Sequence, residues 1–442
     1  MESFEIIGGT PLYGATEISG AKNVALKACV AALLTDEPIV LRNIPLISDV
    51  AYMLAVLKDL GVNVDRNSQT IRIKNSRLKK IKVDLEVGAR LRTSSLVIGP
   101  LLARYGEAII PNPGGCRIGT RPIDRHIDGL RAMGADISYN SSDGYFYAKA
   151  SNLHGTHIRF TKNTHTGTEA IILAAVLAEG RTIIENAAEE VEIDNLIELL
   201  CSMGARIIRS SKRLIIIDGA KYLRGTEFNI MPDRNEEVTF AIAAALTGGE
   251  ITINNSQRQF LSSFLKLFKN IGGSYKIIDE HTTKYSRNKI LIASDVNTGP
   301  YPAFMTDWQA PWSVLMTQAT GTSVIHETVF ESRFAYVYEL LKMGAKIEFF
   351  DPKVRNPNKF YNFNWDDGML SNQQSIKIYG PTKLHNAILE ITDLRAGATL
   401  VLAALVASGE SYVYGVEQID RGYENLEVKL KKLGANIKRV GD

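Results

Sequence analysis

The chain has 442 residues, a formal net charge of +3 and 22% charged residues. This length exceeds the size at which one hydrophobic core keeps growing, so two domains are expected. The nearly balanced charge argues against a nucleic-acid-binding protein, and no apolar run approaches the roughly 20 residues of a membrane helix. Three unpaired cysteines and a first segment without the pattern of a signal peptide lead us to expect a cytoplasmic protein.

A short phrase recurs six times along the chain: an apolar residue, two variable residues, another apolar residue and a glycine. Successive glycines are 68 to 73 residues apart, except the last pair, which are 90 apart. A repeat of this length predicts one supersecondary unit that is copied six times. The glycines are Gly61, Gly134, Gly204, Gly272, Gly344 and Gly434.

Each phrase ends an amphipathic helix, such as residues 49–60, and Gly61 is expected to be the left-handed residue that closes it. A strand, a polar turn and a second strand follow, while an alanine-rich helix between two short strands lies upstream. The predicted unit is strand–helix–strand–helix–strand–strand. Because the alanine-rich helices have little polar face, we expect helices inside and sheets outside, with three units per domain. These helices are predicted at 23–34, 90–105, 168–179, 236–246, 308–319 and 396–408.

An insertion near 350–374 lengthens the fifth hairpin and is rich in proline, asparagine and aromatic residues. A hairpin tip tolerates extra residues, because the entropy cost of closing a loop grows only slowly with its length. We expect the insertion at an outer tip, far from the helix starts that carry Asp307 and Arg333, and without influence on the active site.

Charged side chains cluster near the predicted helix starts. Free N–H groups and the positive end of the helix dipole attract anions there. Basic residues oppose that dipole, so they add little stability at these positions and instead suit a shared anionic ligand. Any one of them could be an ordinary surface residue, but their recurrence in different units predicts a polyanionic substrate. The residues include Lys22, Arg90, Arg92, Arg121, Arg234, Arg333, Arg395 and Arg421.

Cys116 differs from Cys29 and Cys201, which lie in apolar helical patterns that are typical of a core. It stands in a glycine-rich segment beside Arg117 and Arg121, ahead of a predicted helix start. Positive charge nearby makes a thiol reactive, and flanking glycines are typical of a lid loop. The alternative is a buried, inert cysteine.

The histidines have no metal-ligand spacing, and the sequence contains no glycine-rich phosphate or dinucleotide motif. We therefore expect neither a metal nor a cofactor.

Eight long motifs resemble the enolpyruvyl transferase family, and most closely its members that act on UDP-N-acetylglucosamine. They cover essentially the whole chain, at residues 18–23, 114–124, 182–188, 231–234, 302–307, 327–333, 392–395 and 419–423. The resemblance implies two inside-out α/β domains, each of three βαβαββ repeats. It also implies that residues 22–230 form one domain and that residues 1–21 join 231–442 in the other.

The resemblance implies a reaction as well. The 3-hydroxyl of UDP-N-acetylglucosamine would attack C2 of phosphoenolpyruvate, and phosphate would leave from a tetrahedral ketal. This is the first committed step of peptidoglycan synthesis, on which cell-wall formation, cell shape and cell division depend. The implied partners are these two small molecules, with no nucleic acid, membrane or cofactor.

Residue roles on the phosphoenolpyruvate side follow from the matching motifs. Lys22 and Asn23 would hold phosphoenolpyruvate, and Arg121 and Arg421 would bind its phosphate and carboxylate. Cys116 would donate a proton to the methylene carbon, can become attached to the substrate, and would be the thiol that fosfomycin alkylates.

On the acceptor side, Asp307 would take the proton of the sugar hydroxyl, with Val329 beside it. Arg333, Asp393 and Arg395 would line the closed cleft. Contacts to the UDP portion would come from Arg92, Arg121, Pro122, Ile123, Asp124 and Arg125.

Residues 163–169 depart from the family pattern, which usually has a Ser-Val-Gly-type stretch near the nucleotide. Transfer to another nucleotide or sugar nucleotide is therefore an alternative. Transfer to 3-phosphoshikimate is disfavoured by Cys116 and by the Lys22–Asn23 motif. An inactive regulatory paralogue is the alternative of another class, and the joint presence of Lys22, Cys116, Asp307 and Arg421 argues against it.

Overall fold

The computed structural model describes residues 2–114, 122–365 and 373–441. This part of the chain divides into two compact units, which we call the first unit (20–114 and 122–231) and the second unit (2–19, 232–365 and 373–441). The chain enters the first unit after Ser19 and leaves it after Met231. That each unit is a separate domain, with boundaries after residues 21 and 230, stays a prediction.

The described residues form helices and short strands in regular alternation. The α-helices are α1 (Lys22–Ala31), α2 (Ser48–Leu60), α3 (Leu85–Gly88), α4 (Ile98–Tyr105), α5 (Asp124–Ala132), α6 (His165–Ala175), α7 (Val191–Ser202), α8 (Arg234–Thr247), α9 (Ser262–Asn270), α10 (Thr306–Thr317), α11 (Tyr336–Lys342), α12 (Pro357–Phe360), α13 (Leu394–Val406) and α14 (Leu426–Lys432). Turns of 3-10 helix lie at Ala32–Leu34, Arg92–Val97, Arg258–Phe260 and Val416–Gln418. The strands are β1 (Ser3–Ile7), β2 (Tyr13–Glu17), β3 (Ile39–Arg42), β4 (Asn63–Asn67), β5 (Thr70–Lys74), β6 (Glu107–Pro111), β7 (Asp136–Asn140), β8 (Tyr145–Lys149), β9 (His157–Arg159), β10 (Arg181–Glu185), β11 (Arg206–Ser211), β12 (Leu214–Asp218), β13 (Glu227–Asn229), β14 (Glu250–Asn254), β15 (Gly273–Ile277), β16 (Thr282–Arg287), β17 (Val296–Asn297), β18 (Gly321–His326), β19 (Lys346–Phe350), β20 (Ser375–Gly380), β21 (Ile388–Glu390), β22 (Glu410–Tyr414) and β23 (Asn436–Val440).

The strands of the described residues form six sheets, three in each unit. The first unit has the orders β13-β3-β5-β4, β6-β8-β7 and β11-β12-β10-β9. The second unit has β15-β16-β14-β2, β17-β18-β20-β19 and β21-β22-β1-β23. In five of them one parallel strand pair joins antiparallel strands, and a parallel bridge from Lys82 to Ile109 supplies the equivalent contact in the sheet of β6.

The alanine-rich helices lie in the interior of their units. In the second unit α8, α10 and α13 pack on one another, and α8 is buried from Arg234 to Leu246. In the first unit α1, the 92–105 helical segment and α6 pack together in the same way. Small alanine side chains let helices approach closely, and the sheets cover them from outside. The predicted α/β fold, with helices inside and sheets outside, is confirmed.

The repeat glycines end their helices as predicted. All six have positive φ angles, from 84° at Gly344 to 104° at Gly272, which favour glycine over residues with a side chain. At the first of them, the Gly61 N–H donates to the Lys58 carbonyl and the Val62 N–H to the Leu57 carbonyl. These two bonds satisfy carbonyl groups at the end of α2 and turn the chain into β4.

Two strands, β2 and β13, each join a sheet whose other strands are distant in sequence. β2 precedes α1 but runs parallel to β14 in the second unit, whereas β13 precedes α8 but runs parallel to β3 in the first. β1 lies between β22 and β23, antiparallel to both, and completes the sixth sheet.

The insertion lies at the end of the fifth sheet where β18 finishes. His326, the last residue of β18, is paired with Ser375, the first residue of β20. Because the pair is antiparallel, the hairpin tip after β19 reaches the turn that leads to Arg333 and α11. The expectation that the insertion lies far from the Arg333 corner is therefore wrong.

Candidate active site

The predicted site residues are distributed over both units. Lys22, Asn23, Arg92 and the residues of 122–125 belong to the first unit. Cys116 and Arg121 lie outside the described residues. The second unit carries Asp307, Val329, Arg333, Asp393, Arg395 and Arg421.

Lys22 begins α1 and is held by a carboxylate from the next helix. Its Nζ lies 2.6 Å from Oδ2 of Asp49, in the first turn of α2. The positive end of the α2 dipole also favours a negative charge at Asp49. Asn23 follows and is half-buried. Sequence reasoning missed Asp49, because its pairing depends on how α1 and α2 pack.

Arg92, Arg125 and Glu169 all act on one buried histidine. Burial, followed by the positive charge of Arg92 and more weakly that of Arg125, lowers the pKa of His126 to about 3, and Glu169 opposes this shift. His126 is therefore neutral at physiological pH. The structure thus brings Arg92 and Arg125 near the same side chain in the first unit, and no sequence pattern had singled out His126.

The start of α5 carries three further predicted residues. Ile123 is buried and precedes the helix, while Pro122 and Asp124 on either side are exposed. Asp124 stands in the first turn, where the helix dipole favours an acidic residue. Asp124 therefore has a structural role in the helix, whatever it contacts in a substrate.

A buried charge cluster joins α1 to α6. Oε1 of Glu169 lies 2.6 Å from Nζ of Lys27 and 2.9 Å from Nε2 of His165. Burial raises the pKa of Glu169, but the charges of Lys27 and His165 outweigh it and the pKa is lowered. Burial likewise lowers the pKa of His165, but the carboxylate of Glu169 outweighs it and the pKa is raised. The one hint of this cluster in the sequence was Lys27, a lysine within an alanine-rich helix.

Asp307 in the second unit lies between two arginines. Oδ1 of Asp307 is 2.6 Å from Nη2 of Arg333, and Oδ2 is 3.7 Å from Nη2 of Arg395. The side chains of Arg333 and Arg395 are 5% and 8% exposed, whereas that of Asp307 is 21% exposed. Three residues from distant parts of the chain thus meet, and the carboxylate of Asp307 is partly exposed.

Arg395 is fixed at the start of α13. The carboxylate of Asp393 caps this helix and accepts the N–H groups of Arg395 and Ala396, at 2.9 and 3.1 Å. Burial lowers the pKa of Arg395, but interactions with Tyr423 and Asp307 outweigh it, and the guanidinium stays charged. Its guanidinium carbon lies 5.3 Å from the centre of the Tyr423 ring.

The turn that carries Val329 is fixed by Glu327. This buried carboxylate accepts the N–H of Val329 at 2.7 Å, the N–H of Phe330 at 3.2 Å and the hydroxyl of Thr306 at 2.8 Å. Burial raises the pKa of Glu327, against the opposing effect of Arg333. Thr306 is the neighbour of Asp307, so one side chain ties the turn to the start of α10. Sequence reasoning did not identify Glu327 as this link.

Arg421 follows the last 3-10 turn and is half-buried. Its Nη1 donates to Oε1 of Gln418 at 3.2 Å. This bond directs one edge of the guanidinium along its own turn.

Within the described ranges, no group of three or more histidine, cysteine, aspartate or glutamate side chains could hold a metal ion. In the same part of the chain, no helix is both long and apolar enough to cross a membrane.

Comparison with known proteins shows the family. Residues 6–430 match the model of the EPSP synthase (3-phosphoshikimate 1-carboxyvinyltransferase) family. The chain belongs to this family, whose members are enolpyruvyl transferases.

Curated relatives match this chain along almost its whole length. The chain is 41% identical over 453 residues to the UDP-N-acetylglucosamine 1-carboxyvinyltransferase of Bartonella tribocorum, with all of both chains covered. It is 43% identical over 444 residues to the enzyme of the same name from Prochlorococcus marinus, covering 99% of this chain and 91% of that protein.

Solved structures show the same fold at lower identity. The enolpyruvyl transferase NikO from Streptomyces tendae matches with a TM-score of 0.86 and 21% identity, over 99% of both chains. EPSP synthase from Acinetobacter baumannii matches with a TM-score of 0.75 and 17% identity, over the whole of both chains.

Proposed function

We propose that this protein transfers the enolpyruvyl group of phosphoenolpyruvate to the 3-hydroxyl of UDP-N-acetylglucosamine, with release of phosphate. The observation that carries the proposal is the partly exposed carboxylate of Asp307 between Arg333 and Arg395. Full-length relatives at 41 to 43% identity are named for this reaction.

Asp307 is the base of the addition step. Its carboxylate takes the proton of the 3-hydroxyl as the sugar oxygen bonds to C2 of phosphoenolpyruvate. Arg333 holds one carboxylate oxygen, so the other is directed toward the acceptor and the more distant Arg395. Val329, fixed through Glu327, lies beside the sugar.

The basic residues bind the phosphoenolpyruvate anion. Lys22, Asn23, Arg121 and Arg421 hold its phosphate and carboxylate, and the same charges stabilise the phosphate as it leaves. Lys22 pairs with Asp49 in the structure, so it exchanges or shares this partner when the substrate binds.

Cys116 supplies the second proton. Its thiol protonates the methylene carbon of phosphoenolpyruvate during addition, and a proton leaves the resulting methyl group when phosphate is eliminated. The supporting evidence is its sequence context, beside Arg117 and Arg121. The same reactivity makes it the target of fosfomycin.

The UDP portion binds the first unit through Arg92, Arg125 and the residues at the start of α5. The proximity of Arg92 and Arg125 supports this assignment, because two guanidinium groups in one region suit a diphosphate.

Transfer to a different nucleotide or sugar nucleotide is the second candidate function. It is favoured by one observation, the pairing of His165 with Glu169 in the segment that departs from the family pattern.

The product is a peptidoglycan precursor, so the enzyme acts in cell-wall synthesis and, through it, in cell shape and division. A cytoplasmic location accords with free thiols at Cys29 and Cys201.

Phosphate release from phosphoenolpyruvate, measured with a panel of acceptors, tests the function. We expect release with UDP-N-acetylglucosamine, and a product heavier than the acceptor by one enolpyruvyl group. Preferred release with another nucleotide would identify the second candidate. No release with any acceptor would identify an inactive paralogue.

Variants of Cys116 test its part in the reaction. Cys116→Ser should lose fosfomycin labelling and most of its turnover, whereas Cys116→Asp should stay active and resist the drug. Cys201→Ser is the matched control, because the Cys201 thiol is free and exposed. Full activity of Cys116→Ala would remove Cys116 from the mechanism.

A further inference from the structure

The insertion folds back on the turn that carries Val329. The Asn362 N–H donates to the Thr328 carbonyl at 2.7 Å. One residue earlier, the Tyr361 hydroxyl lies 3.0 Å from Nε2 of His326, the residue at the end of β18. Tyr361 is 2% exposed, so this contact is part of the packed protein.

Aromatic rings make this part of the insertion rigid. The Tyr361 ring lies 4.6 Å from that of Trp365, with 8° between the planes, and 4.8 Å from that of Phe363. The Phe360 ring stacks on His326 at 5.1 Å. Such pairs add to the stability that burial alone gives.

The last residue of the insertion contacts the same turn. The carbonyl of Gln374 accepts the Glu327 N–H at 2.8 Å, and its side-chain Nε2 donates to the Glu331 carbonyl at 2.7 Å. The middle of the insertion and its last residue therefore both hold residues 327–331.

Residues 327–331 are also linked to Asp307, the proposed catalytic carboxylate. Glu327 bonds the Val329 N–H and the Thr306 hydroxyl, and Thr306 precedes Asp307. Two residues beyond the turn, Arg333 bonds Asp307 directly. A shift of the turn would therefore move Val329 relative to Asp307.

We infer that Tyr361 and Asn362 are positioning residues for the acceptor sugar: they fix the 327–331 turn so that Val329 and Asp307 keep their spacing. This inference rests on the proposed function. It gives the insertion a role in acceptor binding rather than in phosphoenolpyruvate binding, because Tyr361, Asn362 and Gln374 contact residues 326–331, which include Val329.

Steady-state kinetics of Tyr361→Phe and Tyr361→Ala test the inference. The phenylalanine variant keeps the ring but loses the bond to His326, so KM for UDP-N-acetylglucosamine should rise about threefold. The alanine variant loses the stacking too, and the rise should be about tenfold. KM for phosphoenolpyruvate should stay unchanged in both. The matched control is Tyr222→Ala, which changes a tyrosine that is 65% exposed in the first unit.

Hydrogen exchange without substrate gives a second readout. The amides of 327–331 should exchange faster in Tyr361→Ala than in the wild type or in Tyr222→Ala. Unchanged exchange there, or equal effects on both KM values, would overturn the inference. If the wild type fails to use UDP-N-acetylglucosamine, the proposed function fails, and the exchange data still decide whether Tyr361 holds the turn.

Discussion

Glu169 in the first unit and Asp307 in the second are two carboxylates, each of which lies between two basic side chains. Glu169 contacts Lys27 and His165, and Asp307 contacts Arg333 and Arg395. They differ in access, because the side chain of Glu169 is 0% exposed and that of Asp307 is 21% exposed. The sealed carboxylate of Glu169 therefore suits a structural role, whereas a ligand can reach the carboxylate of Asp307, as its proposed role as a base requires.

The largest effect is expected at the accessible carboxylate. Asp307→Asn keeps the shape of the side chain but removes the base, so kcat should fall by about 10²–10⁴. The KM for UDP-N-acetylglucosamine should change little. The free energy of unfolding should fall by less than when a buried charge loses its partner altogether, because the amide oxygen can still accept from Arg333. Kinetics and urea unfolding would test this, with the exposed Asp279→Asn as control. Near wild-type turnover of Asp307→Asn would mean that the base lies elsewhere.

Lys27 and Lys22 of α1 should differ in the same way: Lys27 matters for stability and Lys22 for substrate binding. Lys27→Met leaves Glu169 buried with only His165, and the free energy of unfolding should fall by about 3–5 kcal/mol. Lys22→Met should cost less stability, because the α2 dipole still supports Asp49, but it should weaken phosphoenolpyruvate use about tenfold or more. Urea unfolding and kcat/KM on both variants measure the contrast. Equal stability losses would contradict it.

Close to neutral pH, the smallest effects are expected in the pH dependence of stability. The folded pKa of His126 is about 3, below its ordinary value of 6.5, so the unfolded chain binds the proton more tightly. As pH falls from 6.5 toward 3, proton uptake by His126 in the unfolded chain should therefore lower the free energy of unfolding, by at most about 1.4 kcal/mol per pH unit. Urea unfolding of His126→Asn should show a shallower loss over this window.

His165 should behave in the opposite sense, because its folded pKa is raised above 6.5. The stability that protonated His165 adds to the fold is complete below pH 6.5 and is lost as pH rises through the folded pKa. His165→Asn should therefore differ most from the wild type in mildly acidic solution. A difference that grows with rising pH would contradict the assigned shift.

Much of the fold could be predicted from local sequence patterns. The strand Thr70–Lys74 is the second strand predicted after the helix that ends at Gly61, and Gly61 ends that helix as expected. Helix starts were less accurate: α6 begins at His165 rather than at 168, because the Thr164 side chain accepts the Gly167 N–H and caps the helix there. A cap depends on one side chain, which apolar periodicity does not report.

In the candidate site, too, some residues could be predicted from the sequence and others could not. The resemblance implied that Asp307, Arg333 and Arg395 belong to the active site, and the structure shows that they contact one another, while their roles stay predictions. The partners Asp49 and Glu327 could not be predicted, because each contacts residues that only tertiary packing brings near. The insertion was misplaced because its length suggested a free loop, whereas the pairing of β18 with β20 directs it toward the site.

The path of the first strands has a consequence for protein synthesis. On the ribosome, β1 and β2 emerge before any other element, yet β14 follows β2 by more than half the chain and β22 and β23 come last. The first unit has all its strands once β13 is made, and it can fold as a nascent domain. Meanwhile β2 stays unpaired until β14 is made, and β1 stays unpaired until β22 and β23 of the last repeat are translated, so both strands expose free edges in the nascent chain.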